Sequence, residues 1–279
     1  MAPLSPARVA RTGALTVALA WLLGLAACSG PVWRPVGQPD QRQASDASDA
    51  SPSRQLARLR LALATAYYQQ GQDEVAMDAL KQALASDPDL VPALNLRGLV
   101  HLRLGQWSQA QSSLQRALEL APQDADVAHN LAWTLCQHPQ AQVPHEEVAA
   151  LFQRALAQPD YAHAARSWAA LGLCQQRVQR LPQAQASLTQ AWLLAPDHLS
   201  FALLLAQLHA DRGQWLEASQ VLVQAHLRTP ATAQSLWLAA RAARKLDNQA
   251  LFRQWAEQLR QEFGRSPQAL ALDKGLFDE

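Results

Sequence analysis

The sequence has little glycine and little charge. Of its 279 residues 11 are glycine and 17% are charged, whereas 49% are hydrophobic. This composition argues against a β-sheet protein and favours packed helices. The formal net charge is +1. Residues 1–27 contain Arg8, Arg11 and no acid, so the remainder keeps 22 basic and 23 acidic residues. A chain so close to neutral is unlike a nucleic-acid-binding surface.

Sequence motifs of catalysis are missing as well. The chain contains no Gly-x-Ser-x-Gly and no glycine-rich phosphate loop. The stretch His145-Glu146-Glu147-Val148-Ala149 begins like a zinc-protease helix, but Ala149 stands where the second histidine must lie. The eight histidines are scattered along the chain. We therefore predict that the protein is not an enzyme and has no metal site, cofactor or small-molecule substrate.

The N-terminal apolar run is too short to span a membrane. It covers residues 13–27 and follows Arg8 and Arg11. A spanning helix needs about 20 residues, so the run is typical of a signal peptide. It ends in Leu25-Ala26-Ala27-Cys28, which resembles the bacterial lipobox. That resemblance implies cleavage after residue 27 and lipidation of Cys28. An ordinary cleaved signal with an incidental cysteine, or a short anchor, is the alternative.

Residues 28–54 are predicted to form the lipidated cysteine and a disordered tether. They are poor in apolar residues and rich in Pro, Ser, Asp, Gln and Ala. Ser29, rather than an aspartate, follows Cys28. By resemblance to enteric lipoproteins, this implies release to the outer membrane, with the chain anchored on its periplasmic face.

A 34-residue pattern organises the rest of the chain. In residues 91–124, positions 4, 8, 20, 24, 27 and 32 are Leu94, Gly98, Ala110, Leu114, Ala117 and Pro122. Small residues at positions 8, 20 and 27 let two helices approach closely, and the proline ends the second helix. The pattern resembles the tetratricopeptide repeat, a helix–turn–helix unit. Since one unit cannot bury its apolar face alone, neighbouring units are required.

Six such units are predicted in succession. They lie near residues 57–90, 91–124, 125–164, 165–198, 199–232 and 233–267, in a domain of residues 55–267 followed by a tail, 268–279. The third unit is long because extra residues occur around 138–144, and the sixth is degenerate. We therefore expect an all-α fold. The resemblance implies a right-handed superhelical solenoid of about six repeats.

The first helices of such repeats tend to face the concave groove at positions 2, 5, 9 and 12. In the first three repeats several of these positions are apolar, which favours docking of an extended or helical peptide segment. The candidate contacts are Leu61, Tyr68, Asn95, Leu99 and Trp133. Packing against a neighbouring helix is the alternative for Trp133. The sixth repeat offers a more basic lining with Trp237, Arg241 and Arg244.

The third and fourth units carry a more specific pattern. Residues 129–136 read His-Asn-Leu-Ala-Trp-Thr-Leu-Cys, and Phe152, Pro159-x-Tyr161, Trp168 and Leu171-Gly172-Leu173-Cys174 follow. This looks like the type IV pilus biogenesis lipoproteins, the PilF/PilW pilotins, whose third repeat resembles Asn-Asn-Tyr-Gly-x-Phe-Leu-Cys. This chain differs by His129 for the first Asn, Leu131-Ala132 for Tyr-Gly and Thr134 for Phe. The resemblance extends from the lipobox to about Pro267.

The family resemblance implies a function and a partner. Such a lipoprotein helps the pilus secretin reach the outer membrane and assemble its ring, so the expected partner is a secretin subunit. The resemblance also favours a disulfide between Cys136 and Cys174, with two buried thiols as the alternative. The rival function is a tetratricopeptide scaffold for another envelope system, such as peptidoglycan hydrolases or outer-membrane barrel assembly.

Overall fold

The computed structural model describes residues 51–139 and 143–276, and all regular structure in these ranges is helical. The signal peptide, Cys28 and most of the predicted tether lie outside the described residues. The helices are α1 (Pro52–Gln69), α2 (Asp73–Ser86), α3 (Val91–Arg103), α4 (Trp107–Leu120), α5 (Ala125–Gln137), α6 (His145–Leu156), α7 (Ala164–Arg177), α8 (Leu181–Leu194), α9 (Leu199–Asp211), α10 (Trp215–His226), α11 (Ala233–Lys245), α12 (Gln249–Phe263) and α13 (Pro267–Asp273). None of these helices is long and apolar enough to cross a membrane.

Side-chain caps and prolines set many of the helix ends. Asp124 caps α5 by accepting a hydrogen bond from the backbone N–H of Val127, and Asn248 caps α12 in the same way. Thr232 and Ser235 form a reciprocal capping box at the start of α11. The second helix of each of the first five pairs ends shortly before a proline, namely Pro88, Pro122, Pro159, Pro196 and Pro230. The prolines therefore mark the repeat boundaries.

The turn inside each helix pair is short and nearly uniform. In five of the six pairs three residues join the helices, and the middle one has a positive φ: Gly71 (75°), Gly105 (71°), Gln179 (60°), Gly213 (72°) and Asp247 (53°). Glycine adopts this left-handed conformation without steric cost, which explains why it occupies three of the five turns. In the third pair, residues 138–144 connect α5 to α6, and the extra residues of that unit lie there.

Close packing of the two helices within a repeat relies on a very small residue in the first helix. A Cβ atom on Gly98 would lie 2.5 Å from Cγ of Leu114, and one on Gly172 would lie 2.7 Å from Cγ of Leu188. Both leucines are fully buried. The predicted all-α fold of consecutive tetratricopeptide helix pairs is therefore confirmed.

The repeats stack in chain order. First helices of neighbouring repeats contact each other directly, α1 with α3, α3 with α5, α5 with α7 and α9 with α11, while each second helix packs on the first helix of the next repeat. This arrangement puts the first helices on the inner side of the solenoid. The buried side chains form two clusters that meet in α7, and Trp168 packs against both of them.

The two ends of the repeat array differ. Helix α13 begins at Pro267, the last residue of the predicted repeat domain, and otherwise lies in the segment predicted as a tail. It packs on α11 and α12 through the buried side chains of Ala269 and Leu272. Helix α1 starts at Pro52, inside the segment predicted as a tether, because Ser51 caps it and proline suits the first turn. Leu59 and Leu63 on α1 are exposed, at positions that other repeats bury with residues such as Val127 and Leu131.

We expect Gly98→Ala to lower the free energy of unfolding by about 1–2 kcal/mol. Overpacking against Leu114 should outweigh the roughly 1 kcal/mol that alanine otherwise gains over glycine within a helix. Urea unfolding measures the change, and Gly172→Ala should behave in the same way.

The double variant Gly98→Ala/Leu114→Ala is the matched control. Because Leu114→Ala opens space for the new methyl group, the loss in the double variant should be smaller than the sum of the single losses. Additive losses would show that Gly98 is not required for the helix contact.

Candidate binding groove

The predicted groove residues lie on the first helices of the first three repeats. Leu61 and Tyr68 are on α1, Asn95 and Leu99 on α3, and Trp133 on α5. All five side chains are half-buried. Leu61, Tyr68 and Trp133 pack in part against the first core cluster, so the packing alternative given for Trp133 also describes the structure. The direct contacts to a partner stay a prediction.

Tyr68 is held by a cation–π contact that the sequence analysis missed. The guanidinium of Arg103 lies 3.7 Å from the centroid of the Tyr68 ring. Arg103 Nη2 donates to the Tyr68 carbonyl oxygen at 2.7 Å, and Arg103 Nε donates to the Asp73 carboxylate at 2.7 and 2.8 Å. The hydrogen bond to Asp73 raises the pKa of Arg103. The Tyr68 ring is therefore fixed beside a permanently charged side chain.

Asn95 is positioned by the next repeat. Its Oδ1 accepts a hydrogen bond from Nδ2 of Asn130, which lies on α5, at 2.9 Å. Within the described part of the chain, the side-chain NH₂ group of Asn95 has no hydrogen-bond acceptor. An amide held in this way on a groove wall can donate to a backbone carbonyl of a bound segment.

A polar network joins the third and fourth repeats where α5 and α7 begin. Asp126 Oδ1 accepts hydrogen bonds from Tyr161 OH at 3.1 Å, His163 Nδ1 at 3.0 Å and Arg166 Nη2 at 3.1 Å. Tyr161 belongs to the pattern shared with the pilotins, whereas Asp126 belongs to no motif of the sequence. The sequence alone does not reveal their contact, because 35 residues separate them.

His129 extends this network into the core. Its Nδ1 lies 2.7 Å from Oγ of Ser167, and Ser167 Oγ lies 3.3 Å from the hydroxyl of Tyr161. The His129 ring meets the Phe152 ring edge to face, with centroids 5.6 Å apart. Burial, followed by the positive charge of Arg166, lowers the pKa of His129 to about 4. His129 is therefore a neutral packing residue at physiological pH, although its repeat position is one that often faces the groove.

The opposite ends of α5 and α7 are joined by a disulfide. Cys136 and Cys174 have an S–S distance of 2.03 Å and a Cα–Cα distance of 5.9 Å, across 38 residues of sequence. Cys174 is buried and Cys136 half-buried. Together with the Asp126 network, the bond ties these two first helices to each other at both ends, next to Trp133 in the groove.

The basic end of the groove is partly covered. Trp237, Arg241, Gln207 and α13 line a cavity of about 350 Å³. The guanidinium of Arg241 lies 5.9 Å from the centroid of the Trp215 ring, and Nζ of Lys245 lies 6.0 Å from it. Helix α13 thus occupies part of the surface that the repeat pattern alone left open.

The stretch that resembles a zinc-protease motif has a structural role instead. His145 and Glu146 form the first turn of α6, and Glu146 pairs with Arg180 of the next repeat. Burial lowers the pKa of His145. In residues 51–139 and 143–276 no three His, Cys, Asp or Glu side chains are grouped so that they could hold a metal ion.

Family models identify the repeat type from the sequence. A model described as TPR repeat matches residues 64–105, and a tetratricopeptide repeat model matches residues 91–124. Both matches fall on α1 to α4. A comparison with the sequences of curated proteins gave no match. The chain therefore contains tetratricopeptide repeats, a class that generally serves as scaffolds for protein interactions.

Solved structures share the architecture of the whole repeat domain. PilW, a widely conserved type IV pilus biogenesis factor, is 24% identical with a TM-score of 0.67, and the match covers 78% of this chain and 98% of that one. PilF of Pseudomonas aeruginosa is 21% identical with a TM-score of 0.66, covering 81% and 100%. YrrB, a TPR protein with an unusual peptide-binding site, is 14% identical with a TM-score of 0.52, covering 71% and 99%. At these identities the likeness shows the fold.

The buried His129 predicts a pH dependence of stability. Its folded pKa of about 4 lies below the value of about 6.5 in an unfolded chain, so protons bind preferentially to the unfolded state. Its contribution is present above pH 6.5 and is lost as the pH falls towards 4. Between pH 7 and pH 5 we expect wild type to lose about 2 kcal/mol more stability than His129→Gln, which cannot titrate.

Urea unfolding at both pH values measures this difference. Glutamine keeps a side chain that can hydrogen-bond to Ser167, and His198→Gln, at an exposed histidine, is the control for removing a histidine elsewhere. Equal pH dependence in wild type and His129→Gln would show that the fold does not keep His129 neutral.

Proposed function

We propose that this tetratricopeptide repeat protein is an outer-membrane lipoprotein that binds secretin subunits of a type IV pilus and promotes assembly of the secretin ring. The observation that carries the proposal is the likeness to PilW and PilF, which extends over 98% and 100% of those two chains. PilW is a type IV pilus biogenesis factor. The pilotin-like pattern of residues 129–136 supports the same assignment.

The inner surface of the first three repeats is the proposed secretin-binding site. Leu99, Trp133 and the Tyr68 ring offer half-buried apolar surface, and the Asn95 amide offers a donor for a peptide backbone. Tyr68 and Asn95 are already held by Arg103 and by Asn130, so binding a segment costs little ordering of the groove. A secretin segment that is extended or helical fits such a surface.

Lipidation of Cys28 would supply the membrane address. The lipobox-like Leu25-Ala26-Ala27-Cys28 and the following Ser29 support an anchor in the outer membrane, with the chain on the periplasmic side. The tether before α1 would give the repeat domain reach below the membrane. The disulfide between Cys136 and Cys174 is compatible with the oxidising periplasm.

A deletion strain tests the function directly. We expect loss of heat-resistant secretin multimers and of surface pili, both restored by the wild-type gene. A plasmid copy with Cys28→Ala should be produced but should not sediment with the outer membrane and should restore multimers poorly. Normal multimers and pili in the deletion strain would remove the secretin role and favour the scaffold of another envelope system.

A groove variant tests where the secretin binds. Leu99 is half-exposed and lies outside the residues that pack on the core, so Leu99→Glu should keep the fold while a carboxylate enters the apolar surface. We expect the affinity for a purified secretin segment to fall at least about tenfold. Leu193→Glu is the matched control, because Leu193 is an exposed leucine on the second helix α8. Equal affinity of Leu99→Glu and wild type would exclude this surface.

A further inference from the structure

Repeat two carries a charged residue where other repeats carry an apolar one. Position 7 is leucine in repeats one, three, four and five, and Ala239 in repeat six, but it is Arg97 in repeat two. At this position Leu131, Leu171 and Leu205 are at most 4% exposed. Arg97 lies on α3 at the repeat position of these leucines and is half-buried. Repeat geometry alone therefore does not require a charge here.

Arg97 has no carboxylate partner in the part of the chain that the structure describes. Its Nε donates to Oγ of Ser113 at 3.0 Å, and that hydroxyl donates to the backbone carbonyl of Gln109. Within residues 51–139 and 143–276 it forms no ion pair. Burial lowers the pKa of Arg97. Burying a guanidinium without a counter-charge lowers the stability of the folded protein. The two Nη groups of Arg97 also leave four N–H donors for a ligand.

Arg97 lines a cavity on the outer side of the solenoid. The cavity has a volume of about 830 Å³ and lies between the second helices α2 and α4, with Arg97, His101 and Leu104 contributed by the first helix and the turn that follows it. Serine and glutamine side chains of α4 form one wall, and Met77 lies on the other. The cavity is therefore separate from the inner groove and large enough for several residues of a peptide.

The charges around the cavity restrict its ligand. Lys81 already pairs with Asp78 at 2.9 Å, and Glu74 adds a negative charge at the same wall. These acids disfavour a doubly charged phosphate, whereas a single carboxylate can take the fork of Arg97 donors. The hydroxyl groups of Ser108 and Ser112 can accept or donate hydrogen bonds to the neighbouring peptide groups.

We propose that this cavity is a second docking site, which binds a segment of a partner protein that places a single Asp or Glu carboxylate on Arg97. The site is independent of the secretin assignment, because it lies on the outer face and uses none of the groove residues. It gives the protein a second contact for a partner segment while the inner groove is occupied.

The test is a titration of the purified protein with short capped peptides, followed by the Arg97 Nε–Hε signal in NMR spectra. We expect saturable binding of acetyl-Gly-Glu-Gly-amide and at least about tenfold weaker binding of acetyl-Gly-Gln-Gly-amide, since the loss of one charge-assisted bidentate contact is worth about that factor. Acetyl-Gly-Gly with a free carboxyl end is the third probe. Saturable binding of this probe alone would overturn an internal Asp or Glu residue as the ligand.

Two variants separate binding from folding. Arg97→Leu introduces the leucine that repeats three to five have at this position, so its melting temperature should equal or exceed that of wild type. Binding of the Glu peptide should be lost, which the backbone amide shifts of α4 measure. Arg97→Lys keeps the charge but not the fork and should bind at least about tenfold more weakly. Arg116→Leu removes an exposed arginine of the same repeat and should bind like wild type.

Two results would contradict the proposed site. Equal shifts with the Glu and Gln peptides, or unchanged binding in Arg97→Leu, would overturn the site. In that case water alone satisfies the Arg97 donors.

Discussion

The close approach of the two helices in each repeat is the contact on which the solenoid depends. Where the first helix has Gly98 or Gly172, even one methyl group would collide with the leucine of the second helix. The other repeats use alanine at this position, as at Ala64, Ala132 and Ala206, and all of them are buried. Because the two helices of each pair are closely spaced, successive pairs can stack with their first helices on the inner side. The groove is a product of that spacing.

The third repeat departs from this regularity and is reinforced where it does. Its two helices are joined by residues 138–144 instead of three residues. Its first helix is tied to the next one by the Asp126 network near its start and by the Cys136–Cys174 bond near its end. The position of Trp133 between these two ties means that the groove surface there is set by covalent and polar contacts as well as by packing.

Much of the fold could be predicted because it is local and repeated. The 34-residue period identifies the helix pairs, and the prolines and small residues mark their ends and their contact. Two contacts could not be predicted from the repeat pattern, namely Tyr68 with Arg103 and Asp126 with Tyr161. In each contact 35 residues separate the two partners, and the repeat pattern does not specify either contact. Helix α13 was not predicted, because it has only seven residues and does not follow the 34-residue repeat pattern. The sequence places Arg97 at an otherwise apolar repeat position, but only the contacts in the described part of the chain show that it has no counter-charge there.

The bond between Cys136 and Cys174 also determines the effect of a proteolytic cut in the middle of the chain. Both cysteines lie in first helices, and the whole second helix of the third repeat, α6, lies between them in sequence. A single cut anywhere between residues 136 and 174 therefore leaves two fragments that remain one covalent molecule until the bond is reduced. The fragments would also stay aligned, since α5 and α7 are held side by side by the bond itself. In the middle of the chain, this protein can lose the continuity of its backbone without losing the order of its repeats.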